Sequence, residues 1–134
     1  MSYRIYDAAN FANRIDNNEE VIVTDIVGNP GTDRAGILLR TSKAGILVDE
    51  LLENLHERRI VVVAPDTSGN PFYWHAGAYA DAIWAKRQDA RTWLAANNGK
   101  TVAQMASAMG IHEAIAAALA EGLRSEGKAR LIAV

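Results

Sequence analysis

The sequence predicts a mainly helical α+β fold made of two units in tandem, residues 1–76 and 77–134. Three observations predict it. Leu47, Leu51 and Leu55 recur every fourth residue, the spacing of one helix face. The β-branched run Ile60-Val61-Val62-Val63-Ala64, a turn-rich stretch and Phe72-Tyr73-Trp74 follow in the order of a hairpin. The chain also aligns with itself, without a gap, at an offset of 68 residues.

The helix over Ala44 to Arg59 is widened by Ile46, Val48 and Leu52, with Asp49, Glu50, Glu53 and Glu57 mostly on its other side. Arg58 and Arg59 close it, where cations suit the C-terminal dipole. Pro65-Asp66-Thr67-Ser68-Gly69-Asn70-Pro71 supplies the turn chemistry between the two predicted strands. In the second half, Asp89 to Asn97 reads as a helix around Trp93 and Leu94, stopped by Asn97-Asn98-Gly99. Thr101 caps a short helix to Met109, and Gly110 ends it. His112 to Ser125 is longer, with Ile115, Leu119 and Leu123 four apart. Lys128 to Val134 alternates like a closing strand.

At the offset of 68, Leu47, Leu51 and Leu55 fall on Ile115, Leu119 and Leu123, and Glu53 falls on Glu121. Thr24 falls on Thr92, Asn29 on Asn97, Gly31 on Gly99 and Ala35 on Ala103; Ala12 and Ile15 fall on Ala80 and Ile83. The seam lies near Ala76 to Ala80. Glu20 to Val27 admits two readings. Its Val and Ile content favours a strand, paired with Ala35 to Thr41 through Asn29-Pro30-Gly31, whereas its counterpart Ala90 to Asn97 favours a helix.

Each unit therefore orders helix, turn, short helix, tight turn, longer helix and strand, which resembles the winged helix-turn-helix family. Thr101 to Ile111 looks like that family's second helix and turn, with Ala103 as the small packing residue and Gly110 as the left-handed turn glycine. His112 to Ser125 matches the recognition helix and Lys128 to Val134 the first wing strand. In the first unit, Asp33 to Arg40 matches the second helix, Thr41-Ser42-Lys43 the turn, Ala44 to Arg59 the third helix, and Ile60 to Trp74 a complete wing. The pattern is departed from twice: Arg40 stands where a turn glycine is expected, and the second wing is truncated.

Composition narrows the function. At 134 residues, 49% hydrophobic and 22% charged, the chain is globular and holds one ordinary domain or two very small ones. No cysteine is present, which removes disulfides, thiolate zinc sites and thiol nucleophiles. The longest apolar run, Ile60 to Pro65, is far too short for a membrane span, and Arg4 and Asp7 precede any apolar stretch, so a cytoplasmic protein is expected. The net charge of −2 divides unevenly: seven Lys/Arg against eleven Asp/Glu leave −4 before Gly77, and seven against five leave +2 after it. A nucleic-acid contact then belongs on a local patch in the second half.

The family resemblance implies duplex DNA as ligand, with the third helix in the major groove and the wing on the backbone. The first unit's third helix offers Asp49, Glu50, Glu53, Asn54 and Glu57, and its wing tip has no cation, which disfavours it as a reader. In the second unit, Lys100, Lys128 and Arg130 are the expected backbone contacts, and Gln104, His112 and Arg124 the expected base contacts. Lys86, Arg87 and Arg91 on the preceding helix extend the patch if they share its face. The other reading is a winged-helix protein–protein adaptor or homodimer. Its acidic first unit docks a basic partner, and Ala114, Ala116, Ala117, Ala118 and Ala120 make a flat face for a second copy.

Chemistry is sparse. His56, His75 and His112 lack ligand partners at metal spacing, Glu53 and Glu57 beside His56 reading as surface contacts. No serine sits in a nucleophile elbow, and Gly28-Asn29-Pro30-Gly31 is a turn without a phosphate-binding Lys. Asp16, Glu19 and Glu20 suit a helix N-terminus. Trp84 and Trp93 read as core or seam anchors, and Trp74 as half exposed at an interface. A binding protein without cofactor or metal is expected, not an enzyme.

Overall fold

The computed structural model describes residues 17–132. Its elements are α1 (Asn17–Gly28), α2 (Arg34–Thr41), α3 (Gly45–Glu57), β1 (Val61–Pro65), β2 (Pro71–His75), α4 (Ala76–Ala96), α5 (Val102–Met109) and α6 (Glu113–Ser125). The architecture is α+β: mostly helices, with a small antiparallel sheet in the register Val61↔His75, Val63↔Tyr73 and Pro65↔Pro71. Ala12, Ile15, Asp16, Ala133 and Val134, which the sequence reading used, lie outside the described residues.

Glu20 to Val27 is helical, and so is Ala35 to Thr41, so the hairpin reading of this region fails. Burial decides it. Ile22 and Ile26, one helical turn apart, are fully buried, and that gain outweighs the intrinsic strand preference of Val and Ile. Glu19 in the first turn is buried too, its carboxylate accepting from Arg58 Nη1 at 2.9 Å.

The backbone repeats itself at the spacing of 68 residues. Shifting α2 and α3 by that amount gives the bounds of α5 and α6, and the last residue of α1, Gly28, lands on Ala96, the last of α4. Asp33 caps α2 by accepting from the Gly36 amide, and Thr101 caps α5 by accepting from the Gln104 amide. The N-caps of α3 and α6, Ala44 and His112, have the same backbone angles, φ −63 with ψ 140 and 141. Asn29 and Asn97 each donate from Nδ2 to the carbonyl four residues back, both at 2.9 Å. Positive φ recurs in pairs as well: Gly31 and Gly99, Ser42 and Gly110, Arg59 and Gly127. The position expected for a turn glycine in the first half is therefore Ser42, not Arg40. Arg40 lies inside α2 and grips the Asp25 carboxylate through Nε and Nη2 at 2.8 and 3.0 Å.

Two apolar clusters form among the described residues. One gathers Ile22, Ile26, Ile37, Val48, Leu51, Leu52, Leu55 and Val61 from the first half. The other gathers Ala90, Met105, Ile115, Leu119 and Leu123 from the second half, together with Ala64 and Trp74 of the hairpin. Alternation along the strands explains the division. Val61 and Tyr73 face the first cluster, while Ala64, Phe72 and Trp74 face the second. The hairpin is thus a septum between two cores, which is why its apolar run is continuous rather than alternating.

Four expectations are corrected. The 76–80 region is no linker, since β2 runs directly into α4, one helix of 21 residues that absorbs the separate segments expected around Trp84 and Trp93. Trp84 is 75% exposed, with the Arg87 guanidinium 5.9 Å from its ring, whereas Trp74 is 3% exposed in the second core. Ala114, Ala116 and Ala120 are buried, so the alanine run packs inward rather than forming an open face. Lys128 to Ile132 is not a strand, because among the described residues no segment lies beside it to complete a ladder.

Candidate functional site

The six residues expected to meet nucleic acid divide into two sets. Gln104 Oε1 accepts from the Thr101 amide at 2.9 Å, closing the capping box at the start of α5. His112 caps α6, its Nδ1 accepting from the Ala114 amide at 3.0 Å. The imidazole is half-buried and stands edge-on to Phe72 and Trp74, with centroids 4.4 and 5.1 Å apart. Arg124 is held by Glu121 one turn away, with Nε to Oε1 at 2.8 Å, and this contact keeps the Glu121 carboxyl below the usual carboxylate range. These three side chains are engaged within the chain.

Lys100, Lys128 and Arg130 are brought together. With Arg91 from α4 they stand around a groove of about 790 Å³ whose apolar lining includes Trp93, Leu94, Val102, Met105 and Leu123. None of the four cations forms an ion pair with a described residue, and no carboxylate lines the groove. Lys86 and Arg87 are not among its lining residues, and Arg87 pairs with Glu126 instead. Sequence reasoning found the cations but missed the groove, whose walls come from segments up to 41 positions apart, Arg91 to Ile132.

The helix faces are less open than a groove reader needs. At the N-terminus of α6, Glu113 accepts from Thr67 Oγ1 at 2.5 Å, so the tip of the hairpin lies against the end of the helix that normally reaches bases. That tip is set by Asp66 Oδ1, which accepts from the Ser68 and Asn70 amides, both at 2.9 Å. Further along, the outward side of α6 shows Ala117, Ala118, Glu121 and Gly122. On α3, Asp49 is clasped by Arg34 at 2.6 and 3.1 Å, which holds its carboxyl below the usual range; Glu53 and Glu57 are exposed nearby.

The α5–α6 pair has the geometry of a helix-turn-helix. The chain bends by 115° between the two helices, and Gly110 makes the turn at φ 66 and ψ 37. No single described helix is long and apolar enough to cross a membrane. Among the described residues no three His, Asp or Glu side chains gather as a metal site; His56 Nδ1 lies 3.4 Å from the Val61 carbonyl. Comparison with protein-family models and with curated proteins finds no match to this chain.

Proposed function

We propose that this chain is a non-enzymatic adaptor of two winged-helix units, residues 1–76 and 77–134, whose partner is a protein rather than duplex DNA. The hairpin serves as the first wing, spent on joining the units rather than on a ligand. The observation that carries the reading is the hairpin tip on α6, with Thr67 bound to Glu113 and His112 enclosed by Phe72 and Trp74. A recognition helix so covered has little donor surface for base edges, and its remaining cation, Arg124, is paired with Glu121. The acidic outward side of α3 repels phosphate in the same way.

DNA remains the second reading because Arg91, Lys100, Lys128 and Arg130 share one groove free of carboxylates. Selection from a pool of random duplexes at about 50 mM salt, where phosphate contacts are strongest, tests the pair. The adaptor reading expects no sequence to be enriched. An enriched motif whose binding weakens in Arg124→Glu or Gln104→Ala overturns it.

A further inference from the structure

The two halves differ most where the first is complete. There β2 lies across the α1–α2 corner: the Tyr73 amide donates to the Thr32 carbonyl at 2.8 Å and its carbonyl accepts from the Gly31 amide at 2.9 Å. Tyr73 also pairs across the hairpin with Val63 and packs against the first core. Moved by 68 residues, those partners become Lys100, Gly99 and Leu131. All three line the groove. Among the described residues neither the Gly99 amide nor the Lys100 carbonyl makes a backbone hydrogen bond, and neither does any backbone group of Ala129 to Ile132. The second half thus holds a strand-shaped vacancy with donor, acceptor and apolar floor in place.

Its rim states the charge of what fits. Arg91, Lys100, Lys128 and Arg130 stand where the first half carries Val23, Thr32, Ile60 and Val62. Four neutral positions around a filled site have become four unpaired cations around an open one.

We infer that the groove bounded by Gly99, Lys100 and Ala129–Ile132 binds an extended acidic peptide of a partner protein, which adds as a strand beside Ala129–Ile132 with a bulky apolar or aromatic side chain where Tyr73 sits in the first half. Main-chain bonds to Gly99 and Lys100 supply the register, and carboxylates flanking the central residue meet the cationic rim. The inference rests on the protein-partner reading and gives that partner a chemistry.

The test uses the full chain and a fluorescent probe peptide, acetyl-Glu-Asp-Val-Tyr-Val-Glu-Asp-amide, titrated by anisotropy at low salt. Saturable binding is expected. N-methylation of the probe's tyrosine amide removes the bond to the Lys100 carbonyl and is expected to weaken binding at least about tenfold, the effect of losing one such contact. Lys128→Glu combined with Arg130→Glu, both exposed and therefore compatible with folding, is expected to weaken it by as much or more. Arg124→Glu, away from the groove, is expected to change it little. Bound probe also slows hydrogen exchange at Gly99 and Leu131. No saturable binding overturns the proposal, and so does binding indifferent to N-methylation, which would be charge attraction alone. Tighter binding of oligothymidylate through the same Lys and Arg residues overturns it in favour of single-stranded nucleic acid. Failure with the peptide and no duplex motif removes the groove proposal alone; an enriched duplex motif removes the adaptor reading.

Discussion

Ser42 and Gly110, 68 residues apart, hold the same left-handed backbone, φ 55 with ψ 25 and φ 66 with ψ 37, at the turns that follow α2 and α5. Each sends its amide to the carbonyl four residues back, Leu38 and Ala106. The geometry is required by the fold, since the next helix must leave at a sharp angle. Only at the second turn does the residue tolerate that geometry without cost.

Ser42→Gly is therefore expected to stabilise the protein by about 0.5–1 kcal/mol, and Gly110→Ala to destabilise it by about 1 kcal/mol. Urea denaturation with an unchanged slope reads both. Equal and opposite signs to these would mean that the turns are not equivalent.

Gly31 and Gly99 make a matched comparison of strain with and without crowding. Their φ angles are 82 and 83. A Cβ at Gly31 meets His112 Cδ2 at 2.8 Å and Trp74 Cζ2 at 3.1 Å, whereas a Cβ at Gly99 meets nothing within 4 Å. Gly99→Ala is expected to cost about 1 kcal/mol, and Gly31→Ala about 1–3 kcal/mol more, from overpacking at the junction of the two halves. The thermal midpoints of the two variants decide it. Equal losses would mean that His112 moves away freely and that the junction is loose.

The Glu19–Arg58 pair is the one to break for stability. Its side chains are 5% and 7% exposed and meet at 2.9 Å, tying the start of α1 to the end of α3. Removing either partner leaves a charge in an apolar setting, so Glu19→Ala or Arg58→Ala is expected to cost about 3–5 kcal/mol. A double variant replacing both by Met is expected to recover much of that loss. Denaturant titration of the three proteins checks it; a loss under about 1 kcal/mol for either single variant would place the pair in water.

Asp49 and Glu121 give the pH response its sign. Hydrogen bonds from Arg34 and Arg124 lower their carboxyl pKa values in the folded protein. The unfolded chain then binds more protons as pH falls through the ordinary carboxylate range, so their contribution is complete above that range and is lost on acidification through the folded values. Both groups are exposed, and the effect on the unfolding midpoint is small. The clearer readout is carboxyl NMR: Arg34→Ala is expected to return the Asp49 titration to its ordinary position, and no movement would contradict the assigned cause.

Much of the helical frame was legible because its signals are local. Thr101 with Gln104 three residues on, Gly110, and the four-residue spacing of Ile115, Leu119 and Leu123 each act within one or two turns of chain. The failures have the opposite character. Alternation in Lys128 to Ile132 reads as a strand whether or not a neighbour exists to bond it. Ala116 favours helix in any setting, and only the packing of the second core turned it inward. The unbroken apolar run of β1 did carry a signal that both faces are buried, and reading it as a wing passed over that.

By itself the sequence determined where helices begin and end and that the second half repeats the first, because caps, turn residues and periodic apolar side chains act on their nearest neighbours in the chain. The tertiary structure decided the rest. It placed the hairpin between two cores and put the His112 ring against Trp74. It also drew Arg91, Lys100, Lys128 and Arg130 around one groove. These outcomes follow from which surfaces exclude water together, and that is a property of segments far apart in sequence meeting in space.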